Sequence, residues 1–445
     1  MQETYAPPKV TQREYWSWYL YDFGNSAYAA VILLAVYSAY FKETVVGGAE
    51  GTRLWGIAIG IAMLVVAITS PILGAIADHS AAKKRFLFFY TTMCVIFTAA
   101  LFFVQRGDVI MGMVLFILAE IGYRSSQVFY DGLLPEISTP ENIGRISGNG
   151  WAIGSAGGII CLLVVLPLIV LIGGPFIVRL SLAITALFYA ASAIPLFLWL
   201  RERAKRQPLP PGENYVTIGF KRLGQTLRKA RHFAEFLKFM AAFIIFNDGI
   251  IMALDFAAII GVVLYGMTQE QLIIFIIMVQ ITSVLGAFLF GRLTDRWSSK
   301  RALIISLLLM IAAVIWMYFN FSVIGFFLIG ALAGFSLTGV QSVSRTLIGQ
   351  LSPPGHGAEF YGLFAVAGRT SSFIGPTVYG VLAASVAAHY AAQGETAIVA
   401  EQLGQRAAIL SIVVFLVVGL LVLLTVNEAR GIRAARETVL IPSGD

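Results

Sequence analysis

Glu120, Arg124, Gln127 and Asp131 fall at i, i+4, i+7 and i+11 inside one long apolar run, so a helix there lines them up as a single polar stripe. An ionisable group in lipid costs roughly 2.5–3.5 kcal/mol on insertion scales, and a sequence that keeps one offsets that cost with a partner or a function. Glu120 and Arg124, one turn apart, can pair within the helix. Two other segments repeat the theme. Tyr21-Asp22-Phe23-Gly24-Asn25-Ser26 lies in the first apolar run, and Phe246-Asn247-Asp248-Gly249 lies in the seventh, with Asp255 two turns on. Each holds an acid, an amide and a glycine within four residues. Amides and paired charges at mid-depth suit a polar solute, and acids held there are candidates to carry a coupling proton. Asp22, Asn25, Glu120, Arg124, Gln127, Asn247 and Gln341 are therefore the expected substrate ligands. Asp248 and Asp255, with Arg369 as counter-charge, are the expected ion-coupling groups. The plainer alternative makes Glu120–Arg124 and Asp248–Arg369 fixed struts between helices. Trp16 and Trp18, at the front of the first run, read as interfacial anchors.

The elements that must position these groups follow from composition. Of 445 residues, 58% are hydrophobic and 12% charged, and the mean hydropathy is +0.82. Twelve apolar stretches each reach the ~20 residues that cross a ~30 Å hydrocarbon core. Backbone polar groups must be satisfied inside lipid, so long runs are helices, whereas a barrel shows ~10-residue alternating segments. The expected fold is an all-α integral membrane protein, with twelve transmembrane helices in two pseudo-symmetric six-helix bundles. Residues 1–200 form the first bundle and 236–427 the second, with a linker at 201–235 and a tail at 428–445. The linker carries Pro208, Pro210 and Pro211, and then a stretch with apolar and basic residues on opposite helical faces, which suits the inner leaflet.

The net charge of +7 follows topology and calls for no nucleic acid. With both termini cytoplasmic, five of the 31 Lys and Arg fall outside (Lys42, Arg53, Arg106, Arg179, Arg406), two within spans (Arg124, Arg369) and the rest inside, the usual positive-inside bias. No cleavable signal pattern precedes the first span, which is expected to be retained. Cys94 and Cys161 both lie in spans without clustered histidines, so neither a disulfide framework nor a metal site is expected. No G-x-x-x-x-G-K-[ST] segment is present to hold a nucleotide. The chain reads as a transporter driven by gradients, with no cofactor and no enzymatic chemistry. Its expected partners are a small-molecule substrate, membrane lipids, and protons or another cation, and its expected state is a monomer.

One loop occurs twice. Gly74-Ala-Ile-Ala-Asp78 followed by Lys83-Lys84-Arg85 returns as Gly291-Arg-Leu-Thr-Asp295 followed by Lys300-Arg301, 217 positions on. Ser138, Gly148 and Gly154 echo in Ser352, Gly362 and Gly368 at an offset of 214. A membrane chain of two similar halves points to alternating access, in which one half rocks against the other around a central site. The glycine runs at 148–158 and 362–375 read as close-packing faces.

These features resemble the major facilitator superfamily, over the whole chain. The resemblance implies gates built on the loop aspartates Asp78 and Asp295 with Arg85, Arg296 and Arg301, and Asp131 and Arg345 at span ends are expected to join them. His79 departs from the family pattern, standing where an arginine is common. The Tyr21-Asp22-Phe23-Gly24-Asn25-Ser26-Ala27-Tyr28 opening and Leu134-Pro135-Glu136 are similar to the branch that includes autophagy-related vacuolar amino-acid effluxers. That similarity implies amino acids or similar small solutes, moved outward; the paired charges suit a zwitterion, and the buried acids suit proton coupling. Alternatives are a sugar–cation symporter, a lipid or lysolipid transporter on the same fold, and a non-transporting sensor.

Overall fold

Thr11 starts the first helix. Its hydroxyl and the Glu14 carboxylate cap each other's backbone N–H groups, satisfying donors that lipid could not. In the computed structural model of the chain, residues 10–138, 143–203, 217, 233–352, 364, 367–368 and 374–437 are described. The side chains of Asp78 and Asp295 lie outside that description, as do Arg369 and nearly all of the linker.

Helix α1 (Gln12–Tyr28) continues through π-helical Ala29–Ala35, a turn at Tyr37–Tyr40 and a second π stretch, Phe41–Val46. It is followed by α2 (Gly48–Ser80), α3 (Lys83–Ala100), α4 (Val109–Ile137), α5 (Ile143–Leu171) and α6 (Gly174–Trp199). The second half contributes α7 (Ala234–Asp255), α8 (Ala257–Tyr265), α9 (Gln269–Arg296), α10 (Ser299–Phe319), α11 (Val323–Leu351), α12 (Ile374–Ala392), α13 (Ala397–Leu424) and the short α14 (Glu428–Glu437). Eleven described segments are long and apolar enough to cross a membrane. The remaining expected span, 359–388, lies partly outside the described residues and appears as α12.

Two compact units emerge, residues 1–37 with 68–220, and residues 38–67 with 221–445. In the first, α1 packs on α5 and α6, and α3 on α4 and α6; in the second, α7 packs on α12 and α13, and α10 on α11 and α13. The same plan is built twice. Segment 38–67, from the first half of the sequence, packs with helices of the second half.

The repeat extends to the helix ends. Glu202, just past α6, accepts the Lys83 and Lys84 backbone N–H groups at 2.7 and 3.3 Å, while Lys84 Nζ donates to the Leu200 carbonyl. Glu428, just past α13, accepts the Ser299 and Lys300 N–H groups at 3.1 and 3.3 Å, while Lys300 Nζ donates to the Leu424 and Val426 carbonyls. Glu14 accepts the Arg201 N–H and pairs with Arg203; Glu235 accepts the Asn427 N–H and stands 3.8 Å from Arg430. Each half thus ties its last helix to the starts of its first and third by two carboxylates, which also favour the positive helix N-termini.

Replacing Glu202 or Glu428 by Ala removes an acceptor from two N–H groups, and each should lower stability by ~0.5–2 kcal/mol, the range for a lost cap. The two losses should add in the double variant, since the clamps share no partner. Thermal unfolding in detergent checks both outcomes.

Candidate functional site

Glu120 lies in the middle of α4 and is 0% exposed. Arg124 Nε donates to its Oε1 at 2.6 Å, and the Tyr28 hydroxyl donates to its Oε2 at 3.0 Å. Tyr28 stacks on Tyr123 at 4.6 Å between ring centroids, and the Arg124 guanidinium lies 5.2 Å from the centre of the Tyr123 ring. The carboxylate therefore has a donor on each oxygen, one charged and one neutral, inside an aromatic wall. A charge desolvated in this way is held by geometry, and a solute that offers its own charged group can exchange with one of those partners.

Half-buried Asp22 and Ser26 lie against Gly154 of α5, where a Cβ would collide with the Asp22 carboxylate. Gly150 and Gly157 make the same close approach to the Trp18 ring and the Phe23 backbone, so the glycine run on α5 serves as the packing face expected for it. Asp22 is within electrostatic reach of Tyr123 and Tyr130. Asn25 is 2% exposed, and its Oδ1 has no hydrogen-bond partner among the described residues. A buried amide oxygen left without a donor is costly unless a ligand or water supplies one. Gln127 is half-buried one turn from Arg124, and Asp131 is exposed at the end of the stripe.

One sequence expectation is revised, and one site residue is added. Trp18 is 3% exposed rather than interfacial; its ring stacks on Tyr130 at 4.5 Å and its Nε1 donates to the Tyr130 carbonyl. Trp16, 54% exposed, fits the anchor role. From α1 the Tyr28 hydroxyl meets Glu120, and Tyr28 is not among the expected site residues. Tyr28 closes the same sequence motif and follows Asn25 by three positions on one helical face, which was the available signal.

The second unit holds its own polar cluster. Gln341 Nε2 on α11 donates to Asn247 Oδ1 on α7 at 3.2 Å, and Asn247 Nδ2 donates to the Gly368 carbonyl at 3.4 Å. Asp248, 2% exposed, receives a hydrogen bond from the Gly375 N–H, yet its Oδ1 has no partner among the described residues. Asp255, equally buried, is within electrostatic range of it and ends α7; the chain then breaks at Phe256 before α8 begins. Helix breaks at membrane depth are tolerated where the freed groups find partners, and here Trp55 Nε1 donates to the Asp255 carbonyl at 3.0 Å. The expected Asp248–Arg369 pair falls outside the described residues.

Among the gate residues, Arg85, Arg296, Arg301 and Arg345 are exposed. The neighbouring Lys83 pairs with Glu136 on α4 at 3.1 Å, placing the basic loop of the first motif against the end of α4.

This arrangement, a twice-built helical unit with buried charge at mid-span, defines a multi-pass membrane transporter of the major facilitator kind rather than an enzyme. Residues 54–436 match the family described as "Vacuole effluxer Atg22 like". The chain belongs to that family. It is 27% identical over 425 residues to the uncharacterized MFS-type transporter YxiO of Bacillus subtilis, covering 93% of this chain and 94% of that one. It is 28% identical over 263 residues to autophagy-related protein 22-1 of Penicillium rubens, covering 54% of this chain and 44% of the relative. Among solved structures, a bacterial homologue of the human lysosomal transporter Spinster, in an inward-facing conformation, superposes with a TM-score of 0.67 at 14% identity, over 95% of this chain and 97% of that one. The nucleoside transporter NupG superposes with 0.65 at 14% identity, over 92% and 99%. These two likenesses establish the fold.

Arg124→Lys should weaken substrate binding ~10-fold, or ~1.4 kcal/mol, with little change in melting temperature, because lysine keeps the charge but not the planar fork. Calorimetry and thermal unfolding on one preparation separate the outcomes. Normal binding in a destabilised protein makes the pair a strut.

Proposed function

We propose that this protein exports a small zwitterionic solute of the amino-acid class by alternating access, with both termini in the cytoplasm. The carrying observation is the wholly buried Glu120, held on one oxygen by Arg124 and on the other by Tyr28. A zwitterion brings both charges. Its carboxylate competes with Glu120 for Arg124, and its ammonium finds the acids Glu120 and Asp22. The exchange swaps one charge-assisted hydrogen bond for another, so binding and release each stay within reach of modest free energies. Within the second unit, Asn247 and Gln341 form an amide pair of the kind that can also hydrogen-bond a polar solute. The family's description as effluxers supports outward movement, and the positive-inside distribution of Lys and Arg supports the orientation.

Coupling to protons falls to Asp248. It is a buried acid with an unpartnered oxygen among the described residues, two turns before a break in its own helix and in range of a second acid. Gain or loss of one proton there changes the local charge from paired acids to a single one, a local event of the kind that biases a two-state element.

Asp248→Asn should abolish uphill accumulation driven by a pH gradient while leaving exchange of pre-loaded solute intact in proteoliposomes. Uphill transport with unchanged pH dependence in that variant removes Asp248 as the coupling group. Which solute to load is set beforehand by ligand-induced thermal shift with neutral amino acids, sugars and lysolipids; stabilisation by sugars or lysolipids alone overturns the substrate class.

A further inference from the structure

Lys42 stands near the end of the first rod, in the π-helical stretch Phe41–Val46, and is 2% exposed. Its ammonium pairs with Glu401 on α13 at 2.5 Å and with its neighbour Glu43. One turn further along α13, Gln405 accepts from the Tyr379 hydroxyl and donates to Thr52 Oγ1, both at 2.8 Å. Gln405, Tyr379 and Thr52 are all buried. Trp55, three positions beyond Thr52, reaches the Asp255 carbonyl. Between these contacts α2 and α12 meet backbone to backbone: a Cβ on Gly56 would collide with the Pro376 carbonyl, and one on Gly380 would come within 3.0 Å of the Thr52 carbonyl. Apart from the Lys42–Glu43 and Tyr379–Gln405 pairs, each of these contacts joins residues 42–56 to helices of the second half.

Permanent adhesion needs no ions here. A buried ion pair gains little over well-packed apolar residues of the same volume, because both charges give up their water. What the ions add is reversibility: when they part into water, each recovers its hydration, whereas an opened apolar seam recovers nothing. Chain connectivity makes reversibility matter. Segment 38–67 is joined to the first unit at both ends, through Tyr37 and Ile68, and α2 runs unbroken from one unit into the other. The segment therefore either stays bound to the second unit throughout the cycle or lets go.

We propose that Lys42 and Glu401, backed by Gln405, Thr52 and Tyr379, form the latch of the outer gate. It holds the outer ends of the first two spans against α12 and α13, and it parts when the protein opens outward. This assignment rests on the transport reading and the orientation proposed above.

Ser38, one turn before Lys42 and 0% exposed, offers a reporter. Ser38→Cys is placed in a chain with Cys94 and Cys161 changed to Ala, and labelled by a membrane-impermeant maleimide in right-side-out vesicles. Glu401→Gln should raise the labelling rate about tenfold or more, as the lysine that has lost its partner on α13 shifts the population toward the open form. The apolar pair Lys42→Met with Glu401→Leu should label no faster than the parent, melt no lower, and exchange solute more slowly. Parent-like labelling in Glu401→Gln, together with parent-like exchange in the apolar pair, makes the contact a static strut and overturns the latch. If Glu401→Gln does not fold, the exchange rate of the apolar pair decides alone. Faster labelling found only in inverted vesicles overturns the outer assignment. The expected labelling pattern in a protein that exchanges no solute supports the latch and counts against the transport reading.

Discussion

Glu120 is an acid wholly buried at the middle of an apolar helix, and Arg124, Tyr28 and Tyr123 are arranged around it. Its carboxylate cannot be hydrated there, so α4 supplies Arg124 one turn on and α1 supplies Tyr28 from across the interface. The Tyr28–Tyr123 and Trp18–Tyr130 stacks then fix how α1 meets α4 at two heights. Desolvation is a constraint that several other buried ions among the described residues meet with partners of their own. Lys42 takes Glu401, Glu14 takes Arg203, and Glu235 takes Lys238 and a backbone N–H. Asp248 keeps one oxygen without a hydrogen-bond partner among the described residues, which is why coupling is assigned to it.

The duplicated plan gives these charges two kinds of work. At the loop-motif end of each unit, Glu202 and Glu428 cap the third helix of their half while Glu14 and Glu235 hold the chain just past the last, so each bundle is tied as one body. At mid-span the halves diverge. The first presents a paired acid and base, and the second presents amides beside acids at a helix break. Equivalent scaffolds with unlike interiors suit a transporter in which one half contributes charge recognition and the other coupling.

Much of this was legible in the sequence because the signals are local. Apolar runs mark the spans, the loop motif marks the repeat, and the i, i+4 spacing of Glu120 and Arg124 names a pair that the helix itself brings together. Partners that come from other helices were not legible. Tyr28 reaches Glu120 across 92 positions and Lys42 reaches Glu401 across more than 350, and no periodicity within one helix encodes either distance. Lys42 read as an outside-facing charge, since a lysine near a span end ordinarily keeps its ammonium in water. Trp18 read as an anchor for the same reason, although Tyr130 gives it a buried partner. The clamps on Glu202 and Glu428 went unread because an acid beyond a helix end looks like any other surface charge until the start of another helix is known to lie beside it.

The claim that matters most is that the Glu120–Arg124 pair is where solute binds, and counterflow tests it most directly. Proteoliposomes loaded with unlabelled neutral amino acid are given trace labelled amino acid outside, with the parent protein and with the double variant Glu120→Gln, Arg124→Gln. That variant stays neutral overall and keeps a hydrogen-bonding side chain at both positions. The account predicts transient uptake with the parent and none with the double variant, although the double variant remains folded. Equal uptake by the two would contradict it.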